Sequence, residues 1–206
     1  MSRTDGRLTR KESAERTRQK ILDRGLDIFR EKGFDGTSLE MIVRAAGVTK
    51  GAFYVHFKTK AGLICEYLKN LDLDYRKHYS EMPAGKDAAA MLSEFADAVL
   101  GIMEAHLPLN LLRAVYRAEV SREIPLDPFL SPDRELYRIF GEILDRGKQE
   151  GTFRPGLDSV RAAGHIVIAI RGMVFEWCSR SVDFDVHEEL AEHMDLITNG
   201  LRGRRS

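Results

Sequence analysis

The stretch GVTKGAFYVHF, residues 47–57, gathers Lys50, Tyr54, His56 and Lys58 into one short segment, with Lys60 just beyond it. Lysine ammonium groups, a phenol and an imidazole are groups that hold phosphates and base edges. They do not by themselves make or break bonds. No nucleophile–base pairing, phosphate-cradling glycine loop or zinc-ligand spacing stands out elsewhere in the chain, so no enzyme is expected and no cofactor is called for. If Thr49 caps a helix here, Lys50, Gly51 and Ala52 form its first turn. Phe53 and Phe57, four apart, then face inward, and Val48 and Phe53 occupy the two positions of a hydrophobic staple. Lys50, Gly51, Tyr54 and Lys58 share the opposite face. A helical glycine costs about 1 kcal/mol relative to alanine. It makes sense where a backbone must approach something closely.

A preceding helix opens in TSLE, read as a capping box with Thr37 as cap and Glu40 three residues on. Its apolar face is Leu39, Ile42, Val43 and Ala46, and Gly47 ends it. Two short helices joined by a glycine turn meet the requirements of a helix-turn-helix, whose second helix enters the major groove N-terminus first. Tyr54, His56, Lys58 and Lys60 would then hold phosphates on either side. A short core helix with a solvated face fits the same spacing, and charge weighs against it. The formal net charge is zero, but residues 1–60 carry 14 Lys+Arg against 8 Asp+Glu, and the remainder 18 against 24. A basic head on an acidic body places a polyanion at one end. Arg3, Arg7, Arg10 and Lys11 would form an arm, disordered off DNA, that adds non-specific affinity.

The elements positioning this segment are all helical. Apolar residues recur at threes and fours, and no strand or hairpin signal interrupts them. The first helix is expected over 13–32, with Gly33 as a left-handed cap and Phe34 folded back on the last turn. After the two short helices, further ones are expected over 60–81, 87–105, 108–122, 133–150, 157–181 and 187–201, about nine in all. Residues 125–132, with three prolines, read as a loop. The fold class is all-α, with residues 1–59 as a DNA-binding domain and its basic arm, and 60–206 as a helical body. The 43% apolar and 31% charged composition fits a globular chain. No run reaches the length of a membrane span and MSRTDGRLTRKES lacks a signal peptide's apolar stretch, so a cytoplasmic protein without a membrane partner is expected. Cys65 and Cys178 are expected to be buried, inert thiols.

From Ile21 to Leu63 the sequence resembles the DNA-binding domain of the tetracycline-repressor (TetR/AcrR) family. The matching residues are Phe29, Gly33, GTS at 36–38, I..AAGV at 42–48 and, most tellingly, KGAFYVHFKTKAGL at 50–63. The resemblance implies a homodimeric regulator, most often a repressor. Its three N-terminal helices bind double-stranded operator DNA, and a fourth links them to a body that binds a small organic effector. It implies DNA-facing positions at Ser38, Lys50, Gly51, Ala52, Tyr54, His56 and Lys60, with Lys50 the foremost base reader. Many relatives have a hydroxyl residue where this chain has Gly51 or Ala52. A body that docks a protein, or an activator, remains an alternative.

The body offers fewer signals. AAGHIVIAIRGMVFEWC, within 157–181, is apolar almost all round, so one of its sides is expected to meet a partner subunit. Val167 and Val174 on that helix, with Leu190, Met194, Ile197 and Leu201 on the last, are the expected dimer interface. On the 108–122 helix, Leu109, Arg113, Tyr116 and Val120 form one stripe; Gly164, Ile168, Arg171, Phe175 and Cys178 form another on the 157–181 helix. An arginine inside an apolar stripe needs an acidic partner, water or a ligand. If a ligand, Arg113 and Arg171 would bind an amphipathic, anionic effector, with Tyr116 and Trp177 as apolar walls. His187 and His193 near Glu189 and Glu192, and His78 near Glu81, are read as exposed polar residues, not metal ligands.

Overall fold

The computed structural model describes residues 9–83, 85–122, 131–180 and 184–202. Among them it has nine helices and no strand: α1 (Arg10–Lys32), α2 (Leu39–Ala46), α3 (Lys50–His56), α4 (Lys60–Glu81), α5 (Ala88–His106), α6 (Leu109–Val120), α7 (Glu135–Gln149), α8 (Ser159–Ser179) and α9 (Val186–Leu201). Arg3 and Arg7 of the basic arm, and all of the 125–132 loop except Ser131 and Pro132, lie outside the described residues. The chain separates into two compact units, residues 1–67 and 68–206. The division falls inside α4, not ahead of it at residue 59.

In the first unit, α1 starts three residues earlier than its apolar pattern suggests. Thr9 and Glu12 form a reciprocal capping box there: the Glu12 N–H donates to the Thr9 hydroxyl, and the Thr9 N–H to the Glu12 carboxylate. Ile21, Leu22, Leu26 and Phe29 of α1 close over Ile42, Val43 and Ala46 of α2, Phe53 of α3 and Leu63 of α4, all buried. Phe34 does turn back, its ring centroid 5.4 Å from that of Phe29. Gly33 caps α1 at positive φ but extended ψ (72°, 168°), outside the left-handed helical region, whereas Gly47 adopts that region (60°, 40°) and turns the chain from α2 to α3. Arg18 of α1 lies over the Phe57 ring, 5.6 Å from its centroid, and pairs with Glu66.

The second unit is built around α5, whose Phe95 packs edge-on against Phe140 of α7 and Tyr79 of α4. Ile139, Ile143 and Leu144 of α7 and Ile166, Val167 and Ile170 of α8 complete the centre. Asp87, Asp158 and Asp185 cap α5, α8 and α9. Arg76 ties α4 to α7 through Glu135 and Glu142. Among the described residues no single helix is long and apolar enough to cross a membrane; α5 and α6 pass that test only as a pair bent by 101°.

Candidate nucleic-acid interface and interior cavity

The helix-turn-helix forms as its spacing requires, with one change of cap. Ser38, not Thr37, caps α2, its hydroxyl accepting from the Met41 N–H at 3.2 Å. The Thr37 side chain is buried and donates to the Gly33 carbonyl at 2.7 Å, fastening the turn after α1. Glu40 is thereby released from a capping box, and its carboxylate pairs with the Lys50 ammonium at the start of α3. Each raises the other's preference for charge: the hydrogen bond to Lys50 lowers the Glu40 pKa, and the same bond raises that of Lys50. Thr49 caps α3, accepting from the Ala52 N–H at 3.1 Å.

Along α3, Phe53 is fully buried, while Tyr54 and Val55 are 56% and 80% exposed. Lys50, Gly51 and Lys58 are exposed, and Ala52 and His56 half-buried. Only the Thr49 hydroxyl, at 3.8 Å, would meet a Cβ added to Gly51. Nothing inside the protein therefore requires glycine there, and its helical cost has no internal explanation. Ser38 is exposed beside this face. Lys60, expected on phosphates, turns inward instead. Its ammonium donates to the Phe34 and Thr37 carbonyls at 2.8 and 2.9 Å and lies 4.1 Å from the Phe34 ring centroid. Two carbonyls in the α1–α2 turn hold the ammonium here, the Phe34 carbonyl accepting from the Thr37 N–H as well.

The second unit holds a cavity of about 70 Å³, lined by Leu68, Leu71, Tyr75, Tyr116, Glu119 and Arg171 among others. The face of α6 that meets it is Leu112, Val115, Tyr116 and Glu119, not the stripe through Arg113 and Val120; Val120 is 77% exposed. The sequence hid this face because an acid sits in it. Arg113 lies outside the cavity. It donates to the Cys178 and Arg180 carbonyls at 2.7 and 3.3 Å, closing the C-terminal end of α8. Trp177 does not line the cavity either. Tyr116 and Arg171 do. The Arg171 guanidinium is 2.9 Å from the Glu119 carboxylate, and the Tyr116 hydroxyl donates to the Arg171 carbonyl at 3.0 Å. Burial raises the Glu119 pKa, with Arg171 pulling it back, and pushes the Tyr116 phenol well above its ordinary range. Arg134, also at the wall, is held by Asp72 through two hydrogen bonds. Sequence reasoning missed Glu119, Arg134 and Asp72; the i, i+3, i+4, i+7 spacing of 112, 115, 116 and 119 was the available signal.

The expected dimer residues are mostly interior. Val167, Val174, Leu190, Met194 and Leu201 are buried within their own chain and Ile197 is half-buried. A periodic stripe does not reveal whether its own core or a partner covers it, and here the core does. The apolar residues left outward on α8 and α9 are Val160, Ile168, Phe175 and Leu196. Cys178 is buried and its pKa is pushed up to about 11. His187 is partly exposed, and its two ring nitrogens face Asp97 and Glu104 of α5 at 2.5 and 2.8 Å.

Residues 21–67 match the family model for bacterial regulatory proteins, tetR family. Over 191 residues the chain is 34% identical to YerO of Bacillus subtilis (strain 168), an uncharacterized HTH-type transcriptional regulator; the match covers 89% of this chain and 65% of that protein's length. It is 25% identical over 188 residues to KstR2 of Rhodococcus jostii (strain RHA1), an HTH-type transcriptional repressor, covering 89% of this chain and 90% of the relative. Among solved structures, Thermus thermophilus FadR, a TetR-family repressor in complex with lauroyl-CoA, has the same fold. Its TM-score is 0.77 at 20% identity, over 92% of this chain and 97% of that one. The capped α2–turn–α3 geometry coincides with the residues that the family model matches, and the remaining helices share the fold of a solved TetR-family repressor: residues 21–67 are those of the TetR family of bacterial regulatory proteins.

Proposed function

We propose that this protein is a cytoplasmic transcriptional repressor that binds double-stranded operator DNA as a homodimer and releases it when a small organic effector occupies the cavity of the second unit. The observation that carries the DNA-binding reading is the outward face of α3. Gly51, Tyr54 and Lys58 are presented to solvent beside Ser38 and Lys50, and no packing requirement explains the glycine. A base pair's edge approaching the backbone explains it. Pairing two copies through the outward apolar residues Ile168, Phe175 and Leu196 would bury an otherwise hydrated surface. It would also set two α3 helices to read half-sites about one helical turn apart.

For the effector, the supporting features are an apolar wall and charges that are already compensated. Arg171 is paired with Glu119 and Arg134 with Asp72. An added carboxylate would have to displace an existing partner, so a neutral, largely apolar effector fits better than the anionic one that the lone arginines suggested. A cavity of about 70 Å³ is smaller than the roughly 300 Å³ of an ordinary ligand pocket, so an effector would have to widen it. The long α4 is the route out. It carries Lys60 at one end, fastened to the α1–α2 turn, and Leu71 and Tyr75 on the cavity wall.

The test is fluorescence anisotropy on duplexes selected from a random pool, across a salt series. Log K should fall linearly with log salt, by about 0.9 per phosphate neutralised. A flat response on every duplex overturns the DNA-binding reading. For the effector, neutral and anionic amphiphiles are compared by thermal shift, where a compound at a hundred times its Kd adds about 2.7 kcal/mol. Stabilisation only by anionic compounds overturns the neutral effector.

A further inference from the structure

The Glu40–Lys50 pair is an odd expense on a surface meant for a polyanion. Residues 1–60 are otherwise net basic, and a lysine at the leading end of α3 is an obvious phosphate ligand. Yet the carboxylate ten residues before it is bound to its ammonium. Both side chains are more than half exposed, 56% for Lys50 and 62% for Glu40, so the contact is no core requirement. An exposed pair of this kind contributes little stability. Glu40 has no capping duty to perform, since Ser38 caps α2 through its own hydroxyl. Beside the pair the surface is small and open, with Gly51 and Ala52 following Lys50.

We infer that Glu40 is a specificity-determining residue of the DNA interface, acting by cancelling the attraction of Lys50 for phosphate at every sequence. The inference rests on the DNA-binding reading above. A free ammonium near the duplex gains affinity from any phosphate, which raises binding to all DNA alike. With the carboxylate beside it, that gain is offset by repulsion between Glu40 and the same phosphates. Only a base edge that satisfies both groups restores it. Guanine O6 and N7 accept from a lysine, and the cytosine N4 amino group donates to a carboxylate, so the pair is suited to a G·C step in the major groove. Glu40 thus lowers non-specific affinity more than operator affinity.

The experiment compares wild type, Glu40→Gln, Lys50→Met and the double variant on two probes, a duplex selected by the wild-type protein from a random pool and poly(dA-dT), which offers no G·C major-groove edge, over a salt series. Glu40→Gln should bind poly(dA-dT) roughly five- to tenfold more tightly, with the salt slope steeper by about 0.9, as for one more phosphate contact. Its preference for the selected duplex should fall by a similar factor, and most of that loss should vanish in the Lys50→Met background. If Glu40→Gln changes both probes equally, or loses preference equally with Lys50→Met present, the pair does not select sequence and the inference fails. Early melting of Glu40→Gln would also overturn it, by making the pair structural. Absence of salt-dependent binding by the wild type would instead sink the DNA-binding reading itself.

Discussion

The two units spend their polar side chains in opposite ways. In residues 1–67 the hydrogen-bonding groups of α3 point to solvent, and those that turn inward do so to close a turn, as Lys60 and Thr37 do at Phe34, Thr37 and Gly33. In residues 68–206 the charged groups face one another across helices: Arg76 with Glu135 and Glu142, Arg134 with Asp72, Arg171 with Glu119, His187 with Asp97 and Glu104. The first unit keeps Tyr54 and Lys58 exposed, although Arg18 pairs with Glu66 and Lys50 with Glu40. The second neutralises its charges internally and leaves an apolar space between. An outward charge contributes on binding, an inward one only through the partner that cancels it, so the same substitution has different consequences in each.

The largest effect should come from breaking a cancelled pair. Arg171→Met leaves the Glu119 carboxylate, 8% exposed, without its cation. We expect a loss of about 3 kcal/mol, read from the denaturation midpoint, and substantial recovery when Glu119→Gln is added. A single variant as stable as wild type would show that water, not Arg171, compensates Glu119, and the contrast between the units would weaken.

Lys60→Met tests a cation of the first unit that turns inward as those of the second do. It removes a donor from each of the Phe34 and Thr37 carbonyls and should cost about 1–2 kcal/mol in a thermal melt. If instead it leaves melting untouched and weakens DNA binding, Lys60 belongs with the outward set. Gly51→Ala sharpens the comparison from the other side. With no internal obstruction it should stabilise the chain by about 0.5–1 kcal/mol while weakening operator binding. Improved stability with unchanged affinity would leave the glycine unexplained.

The smallest effect is a pH dependence. Hydrogen bonds to Glu104 and then Asp97 raise the His187 pKa above its ordinary value of 6.5. The cation is the form that satisfies both carboxylates. Its contribution is therefore complete below the ordinary imidazole range and is lost as pH rises through the higher folded value. Hydrogen exchange at the start of α9 should quicken over that interval in wild type and not in His187→Gln. The ring is 40% exposed, so the change should be local, without a shift in overall melting.

Much of the first unit was legible in the sequence because its signals are short-range. Thr49, Gly47 and the Phe53–Phe57 spacing specify caps and faces within one or two turns, and the α3 face follows from them. The error at Thr37 was one of choosing between adjacent hydroxyl residues: either can cap α2, and only the packing of α1 decides which is drawn under the turn. In the second unit the helices themselves were equally legible, and the all-helical class with nine helices among the described residues agrees with the pattern. Their faces were not. On α6 and α8 apolar residues occur on more than one side, so the stripes through Val120 and Ile168 read as inward faces and the one through Glu119 was passed over.

What the sequence by itself determined is where helices start and stop and which short segment presents its donors to solvent, because capping and periodicity act between residues a few positions apart. Tertiary structure alone decided that Arg113 closes α8, that Arg171 is cancelled by Glu119, that Lys60 faces inward and that Val167 and Met194 lie in their own chain's core. Those partners lie from 23 to 67 residues away in the sequence for the hydrogen-bonded cases. A charge or an apolar stripe states only that some partner is needed, and packing of the whole chain chooses which one.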